Sequence, residues 1–328
     1  MKTYTIRAMT HADDDGAFAA WNSVTATSLF ARTRSRDEWT WAYRDNPAGR
    51  AAFVAEHEGG IAALYAALPI KTWIEGEVHT FGRIVDSLVL PAHRSGLKRP
   101  GLFVGVGRKF FEHFGLKDSG AVFFGWPEEQ QWRVGERFLS YAPLRHEIVL
   151  AREVPEGTGA VPESVEEISR FGPELRDLYE RSARAFGAST VRDDIYMNWR
   201  TVDRPNVRYR RFGVRDAQGM LRGVAVQRTC HFLGEEASTL VDWLVPHEEE
   251  AVADRLLAAL AACTRADRVR RLYTLVPPWS SWFEWFQSRG FQAQPTEYVL
   301  GGRSFSARHD LGWLRERWWY QLSDSDFV

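Results

Sequence analysis

The sequence predicts an α/β protein of the α+β kind: two tandem domains, each a mixed, mostly antiparallel sheet flanked by helices. Three observations carry that prediction. The chain has 328 residues, enough for about two domains of ordinary size. It repeats itself internally. In each half a strand hairpin precedes a strand–loop–helix–strand unit, an order that suits a mixed sheet and not a doubly wound one.

The repeat has three echoes in the same order. Trp41, Asp45 and Pro47 are matched by Trp199, Asp203 and Pro205, with Asp four and Pro six residues after Trp in both. Val85-Asp86-Ser87-Leu88-Val89 is matched by Val241-Asp242-Trp243-Leu244-Val245, beginning 38 and 36 residues after the two prolines. Trp126-Pro127 and Val276-Pro277 then precede Tyr141 and Phe291, each 14 residues beyond its proline. Between the copies, residues 153–166 are rich in Gly, Pro and Glu and lack apolar periodicity. They read as a linker, giving domains 1–154 and 155–328, or else as a long surface hairpin loop.

Each element has its own signal. Residues 4–7 alternate like a short strand, and 13–31 have helical character with aspartates available as caps. Residues 53–58 and 61–68 flank Gly59-Gly60 as a strand hairpin. Residues 82–90 form a strand apolar on both faces. A loop with Arg94, Ser95, Gly96, Lys98, Arg99, Pro100 and Gly101 leads into a helix over 102–114, a strand over 121–125 and a helix over 128–138. The second half repeats this with strands over 209–214, 223–231, 239–245 and 271–275, a turn over 216–219 and a helix over 251–264.

Composition excludes several classes. Lys plus Arg is 42 against 43 Asp plus Glu, so no nucleic-acid or membrane partner is expected of a chain with formal charge −1. Two cysteines make neither a disulfide framework nor a four-cysteine zinc site, and the nine histidines show no metal-ligand spacing. The start lacks a signal-peptide apolar run and no segment nears 18 apolar residues, so a cytoplasmic location is expected. There is no G-x-S-x-G elbow or G-x-x-x-x-G-K-[ST] loop.

The basic loop has a chemical reading. A pyrophosphate needs backbone N–H groups and a helix N-terminus aimed at it, with glycine where a Cβ would block approach. Arg94, Lys98 and Arg99 would add charge. A basic surface turn capping a helix is the other reading.

Residues 85–96, followed by that basic turn into a helix, resemble the acyl-CoA motif of the GNAT N-acetyltransferases. Trp41 to Gly49 and Gly125 to Glu128 resemble segments of bacterial tandem GNAT proteins. The resemblance spans nearly the whole chain as architecture and is concentrated in residues 38–60, 82–104 and 122–142 as sequence. It implies acetyl-CoA as cofactor, bound by Leu88, Val89, Leu90, Arg94, Ser95, Gly96, Lys98, Arg99, Gly101 and Leu102. A backbone N–H near Val89 would meet the thioester carbonyl where the fourth strand splays from the fifth. The family spacing puts glycine at position 97 and glycine or alanine at 99, where Leu97 and Arg99 stand. The reaction implied is direct transfer of an acetyl group to the primary amine of an acceptor that the residues leave open: a small metabolite, which the partner expectation favours, an amino sugar, a peptide N-terminus or a lysine.

By position Asp86 is the candidate base, although Asp242 in the second copy also fits a structural role. Glu128 and Glu129 are alternative candidates for the base, or ordinary carboxylates at a helix start. The family's tyrosine acid is missing from the helix over 128–138, and Tyr141 beyond it reads as a packing residue. In the second copy Glu248, Glu249 and Glu250 open the helix, which suits the helix dipole but would repel a pyrophosphate; this copy is expected to be degenerate. Trp279, Trp282 and Trp285 fall on one helical face, as core, domain seam or an acceptor wall. The tail from Trp313 to Tyr320 could serve a homodimer surface. A non-catalytic acyl-CoA-binding or interaction module is the rival of a different class. An aminoacyl donor on tRNA is a further rival, which neutral net charge disfavours.

Overall fold

Three tight turns fold the strands back on themselves, and each uses two consecutive left-handed residues, the geometry that matches strand twist. They are Glu58-Gly59, Glu75-Gly76 and Leu233-Gly234, with φ of 50° and 78°, 47° and 102°, and 50° and 89°. The structure, a computed structural model, describes residues 2–26, 33–94, 100–118, 120–157, 159–183 and 185–328. It divides into two compact units: Met1–Lys71 with Val78–Arg145 and Val299–Leu314, and Thr72–Glu77 with His146–Tyr298 and Arg315–Val328.

The elements run β1 (Thr5–Ala8), α1 (Asp14–Thr25), α2 (Arg36–Tyr43), β2 (Ala51–His57), β3 (Gly60–Ile74), β4 (Glu77–Val89), α3 (Leu102–Phe114), β5 (Val122–Gly125), α4 (Glu129–Leu139) and β6 (Ala142–Glu153). They continue as β7 (Glu166–Glu167), α5 (Glu174–Ala183), β8 (Ala188–Thr190), α6 (Asp194–Thr201), β9 (Arg210–Arg215), β10 (Leu221–Phe232), β11 (Glu235–Leu244) and α7 (Glu250–Ala266). The last are β12 (Arg271–Thr274), α8 (Ser281–Ser288), β13 (Gln292–Ser304), α9 (Leu311–Arg317) and β14 (Trp318–Trp319).

In the first unit β1, β2 and β3 are antiparallel neighbours, β4 lies beside β3, and β5 runs parallel to β4. Gly301–Ser304 of β13 pairs antiparallel with β5 on its other side. In the second unit β7, β9, β10 and β11 are antiparallel in turn, β12 is parallel to β11, and Leu150–Glu153 of β6 is antiparallel to β12. The order of hairpin, long strand, helix, parallel strand, helix is thus the same in both units. The division expected at 154/155 falls instead at Arg145/His146, inside β6. The ladder of β6 with β12 holds its second half in the second unit.

Local chemistry explains where the helices begin. Ser35 accepts from Glu38 N while the Glu38 carboxylate accepts from Ser35 N, a reciprocal cap on α2. Asp193 caps α6 by accepting from Tyr196 N at 2.8 Å. One glycine is set by packing: a Cβ on Gly82 of β4 would stand 2.5 Å from the Phe123 ring of β5.

α3 lays Val104, Phe110 and Phe111 over Phe53, Tyr65 and Phe123 to make the first core. The second gathers α7 and α8 over β11, with Leu256, Leu260, Trp282, Trp285 and Phe286 around Trp243. Trp282 and Trp285 are core residues, and Trp279 packs against the same cluster. Among the described residues, no helix is long and apolar enough to cross a membrane, and no group of three His, Cys, Asp or Glu side chains gathers as a metal would need.

At the start of the first unit Arg7 donates twice to Asp13, at 2.7 Å each, and Thr10 adds N–H and hydroxyl donors. These bonds hold the Asp13 carboxyl well below the usual carboxylate range. A folded-state value below the unfolded one contributes stability above the unfolded pKa and loses it as pH falls. Asp13→Asn is therefore expected to lower Tm by a few degrees at pH 7. The gap from wild type should close as pH falls below about 4, where the unfolded carboxyl protonates. Thermal melts across pH 2–8 check this.

Candidate functional site

Alternation along β4 slips by one at its centre. Ile84 and Val89 both pack into the core under α3, although five residues separate them and strict alternation would put them on opposite faces. The slip falls at Asp86, whose φ is +48°, a left-handed conformation rare for a non-glycine residue in a strand. Asp86 is held there by two neighbours. Arg34, just before α2, donates to Oδ1 through Nε at 3.2 Å and Nη2 at 2.9 Å, and Tyr43 donates its hydroxyl to Oδ2 at 2.6 Å. Burial and the Asp86 charge push the Tyr43 hydroxyl well above its ordinary value, so it stays a donor.

The second unit holds the same pair. Arg192 lies seven residues before Trp199, as Arg34 lies seven before Trp41. Its Nε donates to both Asp242 oxygens at 2.8 and 2.9 Å. β11 carries its own irregularity there: Val226 faces Asp242 and Gln227 faces Leu240, leaving Val241 unmatched. In this unit, however, the chain's last residues close over the pair. Arg192 Nη2 donates to Asp324 at 2.7 Å and to Ser323 Oγ at 3.2 Å, Nη1 donates to the Thr190 carbonyl, and the Ser323 hydroxyl donates to Asp242. Burial by itself would lower the arginine, but Asp242 and Asp324 lift it above its ordinary value. Burial, joined by the nearby Asp324 charge, raises Asp242.

The same tail takes up the edge of β11. Among the described residues, β11 pairs with β12 over Ser238–Leu240 alone. Past that point, Trp243 N–H donates to the Gln321 side-chain oxygen at 2.6 Å, and the Gln321 amide donates to the Trp243 carbonyl at 3.1 Å. A single carboxamide thus satisfies both backbone groups of one strand residue. In the first unit β4 pairs with β5 over Phe81–Arg83, and among the described residues the two strands are bonded nowhere else. The β4 residues beyond, through Leu88 and Val89, run on past the end of that ladder.

The helix starts differ as well. Gly101 is the residue before α3, in extended conformation, and no acid stands in the helix's first turn. α7 begins after Glu249 with Glu250 in its first turn, and Arg222 pairs with Glu249. The amino end of α3 therefore suits an anion and that of α7 does not.

The expected cofactor-binding residues fall into three groups. Leu88 and Val89 are buried at the end of β4 and Leu90 is half-buried, with its N–H bonded to the Ala62 carbonyl. Gly101 and Leu102 are brought to the start of α3. Arg94 is exposed and donates through Nε to the Val89 carbonyl at 2.9 Å, so one face of its guanidinium ties the loop to the strand. Ser95, Gly96, Lys98 and Arg99 lie outside the described residues. Of the expected catalytic acids, Asp86 is engaged by Arg34 and Tyr43. Glu128 is exposed at the amino end of α4, and Glu129 there pairs with Arg133. Tyr141 is a packing residue, hydroxyl to hydroxyl with Tyr65, and burial pushes it up to about 12.

Sequence reasoning missed Arg34, Tyr43, Arg192, Gln321 and Asp324. The two arginines carried a readable signal, equal spacing from the repeated tryptophans; the tail residues carried none. Replacing Arg192 with Met strands two buried carboxylates and is expected to cost about 3–5 kcal/mol in chemical denaturation. Arg34→Met should cost clearly less, because the Arg34 side chain is 22% exposed and water can reach Asp86 once it is gone.

No family model and no curated protein matches the sequence. Solved structures do match it. A protein of unknown function from Enterococcus faecalis V583, described as a probable N-acyltransferase, superposes with a TM-score of 0.67 at 11% identity, over 96% of this chain and 74% of its own. A GCN5-related N-acetyltransferase from Anabaena variabilis gives 0.65 at 12% identity, over 93% and 73%. N-myristoyltransferase of Saccharomyces cerevisiae with bound myristoyl-CoA gives 0.59 at 10%, over 92% and 82%. At such identities the likeness establishes architecture, and it does so across almost the full chain: this protein has the GNAT fold.

Proposed function

We propose that the first unit binds an acyl-CoA, acetyl-CoA in the simplest case, and transfers its acyl group to a primary amine. On this reading the second unit is a degenerate copy of the first. The observation that carries it is the contrast at one place in the fold. In the first unit β4 runs past its ladder with β5, and α3 has no acid in its first turn. In the second unit the matching strand edge is taken by the Gln321 carboxamide and the helix opens on glutamates. A strand edge that accepts a carboxamide in one copy suits the amide-bearing arm of coenzyme A in the other, with the phosphates at the start of α3.

The chemistry needs few groups. The amine nitrogen attacks the thioester carbonyl carbon, the C–N bond forms and the C–S bond breaks. The proton lost by the amine balances the one gained by the leaving thiolate. A β4 backbone N–H would polarise the carbonyl. Glu128 is the exposed carboxylate left to relay the amine proton, while Asp86 holds the strand irregularity in place. Engagement of Asp86 by Arg34 and Tyr43 also favours a second reading, an acyl-CoA-binding module without turnover, which predicts binding but no thiol release.

Calorimetry with acetyl-CoA is the test. Wild type is expected to bind one equivalent per chain with a Kd of about micromolar order. Lys98→Ala combined with Arg99→Ala should weaken binding at least about tenfold through lost charge-assisted contacts. No binding at millimolar acetyl-CoA would sink the proposal, and two equivalents per chain would refute a closed second unit.

A further inference from the structure

We propose that Arg34 selects the acceptor by binding a carboxylate on it, so that the amine substrate is a free amino acid or a close amino-carboxylate relative. This rests on the acyl-transfer reading and adds the substrate class to it. The argument is a comparison of two arginines in one chain. Arg34 and Arg192 stand at the same distance from a repeated tryptophan and pair with the same aspartate of the repeated strand motif. Arg192 is engaged at all three nitrogens: Nε serves Asp242, Nη1 the Thr190 carbonyl, and Nη2 the Asp324 carboxylate and the Ser323 hydroxyl. Its side chain is 1% exposed. Arg34 spends Nε and Nη2 on Asp86, and among the described residues Nη1 donates to no protein group.

A guanidinium has five N–H donors and a planar fork suited to carboxylates. Arg192 shows that the arginine of this motif takes two carboxylates at once, one from the strand and one from a segment laid over it. In the first unit the strand carboxylate is present, Glu38 acts on the arginine through its charge while its own carboxylate is hydrogen-bonded to Ser35 N, and the arginine remains part-exposed. The second carboxylate is therefore assigned to the acceptor. Arg34 is joined to Asp86 on β4, the strand along which the thioester would lie, so a carboxylate fixed by Arg34 would hold its amine beside that strand. A matched amine without the carboxylate would gain nothing from Arg34.

The experiment measures thiol release from acetyl-CoA with each common amino acid and with its primary amide. Acetyl-CoA binding is followed separately by calorimetry. For the best acceptor, the acid is expected to exceed its amide at least about tenfold in kcat/KM, mainly through KM. Arg34→Gln should erase that preference, and Arg34→Lys, which keeps a cation against Asp86, should keep part of it. Acid and amide acylated equally by wild type would overturn the assignment of Arg34 and leave acyl transfer standing. Acetyl-CoA binding with no carboxylate-bearing amine acylated would overturn it too. Failure to bind acetyl-CoA at all would remove the acyl-transfer reading beneath it.

Discussion

An arginine–aspartate pair at the centre of a long strand is the constraint on which both units turn. A non-glycine residue in left-handed conformation costs on the order of 1 kcal/mol or more and persists only when its surroundings hold it. At Asp86 the holding groups are the Arg34 guanidinium and the Tyr43 hydroxyl, both reached from the α2 side. The strand therefore changes face in mid-course, giving Val89 to the α3 core while Asp86 meets Tyr43. β11 solves the same problem with an unmatched residue beside Asp242 and a fully buried Arg192. One interaction thus shapes the strand, ties it to a helix start and sets where the strand leaves its parallel neighbour.

Where sequence and structure agree, the agreement follows from local chemistry. The glycine turn after β2, the long helices α3 and α7 and the apolar strands β5 and β12 all announce themselves within a few residues. The first hairpin turn sits at Glu58-Gly59, one residue earlier than the paired glycines suggest, because the twist-matched turn needs left-handed φ at its two central positions. β6 and β13 escape notice, since each divides its length between the two units and both carry many exposed residues.

The site was half legible. Asp86 and Asp242 stood out as repeated carboxylates, and the absence of acids before α3 could be read directly. That Asp86 is locked by Arg34 and Tyr43 depends on contacts from 52 and 43 residues away, which no local pattern encodes. The tail is the clearest case. Gln321, Ser323 and Asp324 look like an ordinary polar stretch, and their meaning comes only from the strand and arginine they meet. Trp282 and Trp285, which offered several uses as sequence, are decided by burial against Trp243.

The pairing of Gly301–Ser304 with β5 has a consequence for how the protein is made. Its partner, Val122–Gly125, leaves the ribosome about 180 residues earlier, and long-range pairings of this kind close slowly. Until the last stretch emerges, β5 offers an open, apolar edge in the nascent chain, a template for pairing with other chains. The finished first unit is therefore a late event in synthesis although most of it is translated first.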